Sequence, residues 1–169
     1  MKQFHLALLM ACTTLSLLGW QACQSGATSP QEIRETFGNG ALSRTYQVVN
    51  GKKEGKMTDY YPSGELKGER WFKNDLQTGR TVLYYKSGHI MEAQHYLDGV
   101  KEGGDSIWYE NGQLKFTVVF KNGKKEGRLN KWSETGEIVV DVRYEGDSLV
   151  EVRGKAVEAY KVPNMPLGR

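Results

Sequence analysis

The stretch that decides the fold is residues 109–127, YENGQLKFTVVFKNGKKEG. From Leu114 to Phe120, apolar side chains alternate with mostly polar ones, which is the period-two pattern of a half-buried β-strand. Asn122-Gly123 follows, and this dipeptide favours a two-residue hairpin turn because both residues tolerate positive φ. The stretch therefore predicts a strand, a tight turn and the beginning of a second strand.

The same pattern recurs along the chain with a spacing of 24 residues. One register holds the turn glycines Gly40, Gly64, Gly88, Gly112 and Gly136. A second register holds Gly55, Gly79, Gly103 and Gly127. A third holds an aromatic ladder, Tyr60, Tyr84, Trp108 and Trp132. A regular period of this length is the signature of a repeat protein, and each unit predicts two strands and two turns.

Single hairpins are only marginally stable in water, so we expect the units to stack edge to edge. The predicted fold is all-β, an elongated single antiparallel meander of stacked 24-residue β-hairpin repeats. Composition agrees with a folded chain, because 38% of the 169 residues are hydrophobic and 25% are charged. A net charge of only +3 argues against nucleic-acid binding, which usually needs a concentrated basic face.

The first residues have the pattern of an export signal. Lys2 is followed by a mainly apolar run over residues 4–20, and Ala22-Cys23 comes directly after it. A small residue before cysteine in this context resembles the lipobox of bacterial lipoproteins. That resemblance implies lipidation of Cys23, a membrane anchor, and a place in the cell envelope facing the periplasm or the surface. The alternative is ordinary cleavage after Ala27, which would give a secreted soluble protein.

These features divide the chain into four segments. We assign residues 1–22 to the lipoprotein signal peptide, 23–37 to a tether, 38–147 to the repeat array, and 148–169 to a C-terminal cap and tail. Within the tether, Ser29 and Pro30 are residue types that often begin a helical turn. Pro163 and Pro166 predict that the tail lies outside any strand ladder.

Catalytic and metal-binding patterns are missing from the sequence. Both cysteines lie in the leader, which leaves no disulfide, thiolate metal site or cysteine nucleophile beyond Cys23. His89 and His95 are the two histidines after the leader, and an extended strand would hold them too far apart to share a metal. No nucleophile elbow, phosphate-binding loop or zinc-protease motif occurs. We therefore expect neither enzymatic activity nor a cofactor.

Two segments carry a family resemblance. The residues 50–55, NGKKEG, with 60–69, YYPSGELKGE, and again 109–114 with 124–127, KKEG, resemble the MORN-variant repeat. This repeat occurs in YwqK-family antitoxins and in exported lipoproteins. The resemblance extends over residues 38–147. It implies a MORN-like scaffold fold and, for the YwqK type, an antitoxin or immunity role.

Three sets of side chains are candidates for binding. The aromatic ladder is expected to be structural, although stacked aromatic rings can also hold a glycan, a peptide or a quaternary amine. The neighbouring row Tyr61, Tyr85 and Tyr109 would point to the opposite face of an ideal strand and so offer a solvent-facing binding surface. The turn pairs Lys53-Glu54, Lys101-Glu102 and Lys125-Glu126 are expected to form a solvated edge.

Two functions follow as hypotheses. The first is a non-enzymatic, membrane-anchored repeat scaffold that binds an unidentified protein partner in the cell envelope, with an antitoxin or immunity role as one form of it. The second is a binding module for an envelope glycan or a lipid headgroup, which would use the exposed tyrosine row. The sequence does not decide between them.

Overall fold

The structure is a computed structural model and describes residues 29–153 and 155–156. Regular structure in these residues consists of β-strands alone. The strands are β1 Gln31–Thr36, β2 Leu42–Val49, β3 Lys52–Tyr60, β4 Leu66–Lys73, β5 Leu76–Tyr84, β6 Ile90–Leu97, β7 Val100–Lys101, β8 Gly103–Trp108, β9 Leu114–Lys121, β10 Lys124–Trp132, β11 Ile138–Glu145, β12 Ser148–Val152 and β13 Lys155–Ala156.

Each strand pairs antiparallel with its neighbours in sequence, except that β7 and β8 do not pair with each other, and the described residues form one continuous sheet. The short β7 and β8 both pair with β6 and act as two halves of one strand interrupted at Glu102. The thirteen elements therefore fill twelve positions in the meander. This arrangement confirms the predicted all-β meander of hairpin repeats.

Two kinds of turn alternate along the meander. One kind lies at one end of the strands and the other kind at the opposite end, and we call these two rows of turns the edges. At the first edge, which we call the Asn–Gly edge, paired residues such as Asn122 and Gly123 adopt φ of 51° and 76°, the left-handed values that a two-residue hairpin needs. At the second, the tyrosine edge, a four-residue turn closes when Gly112 N–H donates to Tyr109 C=O at 2.9 Å. Glycine suits this position because its φ is 85°.

The second glycine register interrupts the strands with bulges. In β3, Gln47 pairs with Glu54 and Thr45 pairs with Thr58, so β3 has extra residues around Gly55. Gly55 itself has a φ of 76°. Bulges bend a strand and increase its twist, so the second glycine register places a bend within a strand of each unit, in addition to the two turns.

Burial is concentrated on one side of the sheet, which we call the packed face. Its central row of directly paired residues is Arg44, Asp59, Gly68, Leu83, Glu92, Ile107, Phe116, Lys131 and Val140. Met57 and Val118 lie on the same side and are 2% and 3% exposed. The one further buried apolar side chain among the described residues, Val82, lies on the opposite side of the sheet. A single sheet has no second layer to cover it.

Charged side chains are part of the packed face. Arg44 Nε donates to buried Asp59 at 2.6 Å, and Arg70 lies 3.2 Å from the second oxygen of the same carboxylate. The bond to Asp59 raises the pKa of Arg44 above its ordinary value. Lys101 donates to Asp105 at 2.7 Å; burial alone would lower the pKa of Lys101, but this bond reverses the effect and raises it. Buried carboxylates are tolerated here because each has a cation beside it.

The structure corrects the predicted beginning of the array. Residues 31–36, which the sequence assigns to the tether, form β1 and pair with β2. Ser29 and Pro30 begin no helical turn, since strand β1 follows them directly. Ile33 lies opposite Tyr46 in this pair, so β1 and β2 form a hairpin before the first matched repeat. The sheet also continues past residue 147 into β12 and β13.

Several predictions lie outside the described residues. These are the signal peptide over residues 1–22, lipidation at Cys23, cleavage after Ala27, and the tail with Pro163 and Pro166. They stay predictions.

Candidate binding surfaces

The tyrosine edge is linked from repeat to repeat by side-chain hydroxyls. Tyr85 Oη donates to the backbone carbonyl of Trp108 at 2.7 Å, which joins one four-residue turn to the end of the strand before the next. The equivalent bonds run from Tyr61 to Tyr84 C=O at 2.7 Å and from Tyr109 to Trp132 C=O at 2.9 Å. Each bond spans 23 residues. We call these three contacts the tyrosine staples.

These contacts correct the expectation that Tyr61, Tyr85 and Tyr109 form a solvent-facing row. Each tyrosine follows the last residue of a strand and opens a turn, so the alternation of an ideal strand does not apply to it. The rings are half-buried, and burial is the main reason that the pKa of Tyr85 is raised. Lysines of the same chain lie over two of the rings: Lys67 and Lys86 over Tyr61, and Lys115 over Tyr109. Ligand binding by this row stays a prediction.

The aromatic ladder Tyr60, Tyr84, Trp108 and Trp132 lies at the ends of β3, β5, β8 and β10. All four side chains are half-buried. Three of the four residues supply the backbone carbonyl that accepts a tyrosine staple. Tyr84 Oη also lies 3.4 Å from Glu69, and burial followed by this carboxylate raises the pKa of Tyr84. The ladder thus takes part in holding consecutive units together.

The Asn–Gly edge uses carboxylates for the same purpose. Glu102 accepts from the backbone N–H of Asn122 at 2.6 Å, and Glu54 and Glu126 accept from residues 74 and 146 in the same way at 2.9 Å. We call these contacts the glutamate caps. The lysine before each glutamate lies over aromatic rings of the packed face, as Lys101 does over Phe120 at 5.0 Å. The expectation of a merely solvated edge therefore missed its structural role.

One repeat lacks its glutamate cap. Thr78 occupies the position of Glu54, Glu102 and Glu126, and within the described residues no carboxylate bonds the backbone N–H of Asp98. A backbone hydrogen bond still joins the repeats there, because Gly99 N–H donates to Gln77 C=O at 2.7 Å, as Gly123 N–H does to Lys101 C=O in the next repeat. The Asn–Gly edge is therefore continuous in backbone contacts but irregular in side chains.

An apolar patch lies at the same irregular turn. Leu76, Leu97 and Val100 are 48%, 57% and 44% exposed. Leu97 pairs with Val100 across the turn, and a Cβ at Gly99 would lie 3.5 Å from Leu76 Cδ2. In the neighbouring repeats, the same positions hold lysine: Lys52 and Lys124 for Leu76 and Val100, and Lys73 and Lys121 for Leu97. We call this set the edge patch.

On the face opposite the packed one, which we call the open face, ion pairs lie near the two ends of the sheet. Lys56 pairs with Glu69 at one end. At the other end, Arg128 and Arg143 both pair with Glu151, at 3.0 and 3.1 Å. Between them, the central row runs through the uncharged residues Val82, Ala93, Ser106, Thr117 and Asn130. These carboxylates are neutralised by neighbours, and nothing about them resembles an acid/base pair.

Metal and membrane features are absent from the part of the chain that the structure describes. No three histidine, cysteine, aspartate or glutamate side chains converge there as metal ligands would. His95 lies opposite Arg80 in the sheet, whereas His89 lies in a turn. Across residues 29–153 and 155–156 there is also no helix of the length and apolarity that a bilayer crossing requires.

Comparison with known proteins identifies the repeat. Residues 53–74 and 106–122 match the family model described as the MORN repeat variant. This match confirms the resemblance to the MORN-variant repeat over these two segments. Repeats of this kind suggest a repeat-based binding scaffold. No curated protein matches the chain.

Solved structures add little to this. The chain is similar to part of a chain in "Crystal structure of accessory secretory protein 1,2 and 3 in Streptococcus pneumoniae", at 14% identity and a TM-score of 0.37. The match covers 60% of this chain and 18% of that one. Its low TM-score means that it supports no argument about fold or function.

Proposed function

We propose that this protein is a non-enzymatic repeat scaffold of the cell envelope that binds a protein partner through the edge patch. The observation that carries the proposal is the exposure of Leu76, Leu97 and Val100 at positions where neighbouring repeats carry lysine. The repeat fold does not require apolar residues there, since lysine is accommodated elsewhere. Contiguous exposed apolar side chains rimmed by polar residues are typical of protein interaction sites.

The chemistry of the patch restricts the partner. Lysines flank the apolar centre along the same edge, namely Lys52, Lys73, Lys121 and Lys124. Among the described residues, none of these four pairs with a carboxylate. Charge complementarity across an interface favours specificity and association rate. The partner surface we infer has an apolar projection surrounded by aspartate or glutamate.

The test replaces each patch residue by the lysine of its neighbours. The triple variant Leu76→Lys, Leu97→Lys, Val100→Lys should fold, because each substitution copies an equivalent position in another repeat. Ile138→Lys is the matched control, since Ile138 is 55% exposed but lies next to the tyrosine edge. Circular dichroism and thermal melting would verify that both variants keep the native sheet.

Partner capture then decides the proposal. A photo-crosslinker at position 97 should give one discrete protein product in the native cell envelope, which mass spectrometry identifies. The purified partner should bind the unmodified chain and the Ile138→Lys control equally, and it should bind the triple variant at least ten-fold more weakly. Equal binding to the triple variant would show that the partner docks elsewhere.

The envelope location and the antitoxin role extend this proposal. Lipidation of Cys23 would anchor the chain, and a toxin acting in the envelope would be the partner that an exported antitoxin could meet. Cys23→Ser should abolish metabolic palmitate labelling and release the protein from the membrane fraction. Retention of label in that variant would exclude the anchor. The identity of the crosslinked partner tests the antitoxin role.

A further inference from the structure

A cavity lies at the tyrosine edge, between two consecutive four-residue turns. Its volume is about 410 Å³, within the range typical of small-ligand sites. His89 and Ile90, where one turn leads into β6, line it on one side, and Trp108 at the end of β8 with Asn111 and Gly112 of the next turn line it on the other. The cavity belongs to the opposite edge of the sheet from the edge patch, so the two sites are independent.

The equivalent space one repeat later is filled. Gln113 corresponds to His89, and Gly136 corresponds to Gly112. The side-chain amide of Gln113 covers Gly136, because a Cβ there would lie 3.3 Å from Gln113 Nε2. A Cβ at Gly112 would have no neighbour within 4 Å. The repeat scaffold therefore makes this space in both units, and the residue at position 89 or 113 determines whether it stays open.

His89 leaves the cavity open because a hydrogen bond holds its ring against the backbone of the next turn. Its Nδ1 lies 2.7 Å from the backbone carbonyl of Glu110. A carbonyl oxygen can only accept, so Nδ1 carries the proton and donates it. In the neutral ring, Nε2 is then an acceptor with a fixed direction. Within the described residues, no partner bonds Nε2.

Asn111 supplies the complementary polar group. Its side-chain oxygen accepts from the backbone N–H of Gln113 at 2.8 Å, which fixes the orientation of the amide. The two N–H groups of Nδ2 have no acceptor in the described part of the chain. Within the described residues, the side chains that line the cavity therefore carry one acceptor and two donors without partners, beside Trp108 and Ile90, and none of the lining side chains is an acidic residue, lysine or arginine.

The walls of the cavity are held in place before any ligand binds. Tyr85 donates to the carbonyl of Trp108 at 2.7 Å, and Gly112 N–H closes the turn on Tyr109 at 2.9 Å. A preformed site loses little entropy when it binds a ligand.

We propose that this cavity binds one neutral pyranose ring of a glycan. The C–H groups of a sugar ring would contact Trp108 and Ile90, while its hydroxyls would donate to His89 Nε2 and accept from Asn111 Nδ2. A purely apolar side chain from a protein partner would bury both polar groups without a hydrogen bond, which is unfavourable. An anionic ligand would find no cation in the lining. The arrangement thus matches a ring that is apolar on its face and hydroxylated at its rim.

The experiment uses the ¹⁵N-labelled full-length protein and an array of immobilised neutral oligosaccharides, with the best-bound glycan then titrated in solution. The Trp108 indole N–H and the backbone N–H of Gly112 should shift on titration, whereas the Trp132 indole N–H should not. The absence of binding to every neutral glycan on the array would overturn the proposal.

The structure also supplies a matched pair of variants. His89→Gln copies the residue that fills the next cavity, so it should fold normally and weaken glycan binding at least ten-fold. Gln113→His, the reciprocal change, should leave binding at Trp108 intact. Undiminished binding by His89→Gln would refute the site. If N-acetyltryptophanamide binds here and no glycan does, the cavity takes a protein side chain and the glycan assignment is wrong.

Discussion

The two edges of this sheet perform the same task with different chemistry. At the tyrosine edge, phenolic hydroxyls donate to backbone carbonyls, as Tyr85 does to Trp108. At the Asn–Gly edge, carboxylates accept from backbone N–H groups, as Glu102 does from Asn122. Backbone groups that the strand ladder leaves unpaired at its ends are thus bonded by the neighbouring repeat.

The difference between the edges lies in where the pattern breaks. The tyrosine staples occur at three consecutive turns, whereas the glutamate caps skip the turn at Asp98, where Thr78 stands in the glutamate position. The exposed residues Leu97 and Val100 flank that same turn. Residues that recur in each repeat stabilise the fold. Residues that depart from the repeat, such as Leu97 and Val100, are therefore the better candidates for a specific function.

The largest effect is expected at a tyrosine staple. Tyr85→Ala removes a half-buried ring and its hydrogen bond, and it should lower the free energy of unfolding by about 2–3 kcal/mol. Ser133→Ala is the matched control, because Ser133 occupies the same register without reaching the next turn. Chemical denaturation of both variants measures the difference. If both variants lost the same free energy of unfolding, the tyrosine staple would contribute no stability beyond that of the turn.

Removing one glutamate cap should cost less. Glu102→Ala leaves the Asn122 N–H to water and should destabilise the array by about 1 kcal/mol. Thr78→Ala, at the same position one repeat earlier, should change the stability little. Hydrogen exchange at the Asn122 amide gives the local readout, with faster exchange expected in Glu102→Ala alone. Unchanged exchange would show that the cap is not formed in solution.

Restoring the missing cap should stabilise the array slightly. Thr78→Glu places a carboxylate near the Asp98 N–H and should add about 0.5–1 kcal/mol. Thr78→Gln is the control for side-chain length without charge. If Thr78→Gln stabilised the array as much as Thr78→Glu, the effect would come from packing rather than from the charge-assisted hydrogen bond.

The smallest effect appears only at alkaline pH. Burial raises the pKa of Tyr85 above its ordinary value of 10.0, so the folded chain holds this proton more tightly than the unfolded chain does. The associated stability is complete below pH 10 and is lost as the pH rises through the folded pKa. Tyr85→Phe should show a smaller loss of stability above pH 10 than the unmodified protein, measured by denaturation at several pH values. An identical alkaline loss would contradict the assignment.

Much of the fold could be predicted from periodicity alone. Glycines at fixed positions and the strand pattern from Leu114 to Phe120 specify hairpins and their order, because turn chemistry and alternation are local properties of a sequence. The beginning of the sheet at Gln31 was missed, since β1 carries no repeat glycine and its residues are mostly charged or polar. Edge strands often have this composition because it opposes aggregation.

The sites were harder to predict than the fold. A tyrosine directly after the last strand residue lies in a turn and reaches along the edge, so the alternation of a strand does not predict where its side chain points. A spacing of 23 residues between each tyrosine and the next ladder residue was the available signal. The edge patch and the cavity at His89 could have been suspected from departures within single registers, such as Leu97 among lysines. The exposure of the edge patch and of the cavity depends on three-dimensional packing, which the sequence repeat does not reveal.

The short range of the inter-repeat links bears on how the chain folds. The staples and caps join residues 23 and 20 positions apart, and every strand pairs with its sequence neighbour. Relative contact order is therefore low for an all-β protein, and low contact order is associated with rapid folding. Any hairpin can act as a nucleus to which the next one adds. We expect this sheet to fold faster than β-sandwiches of similar length, whose strands must find partners far away in the chain.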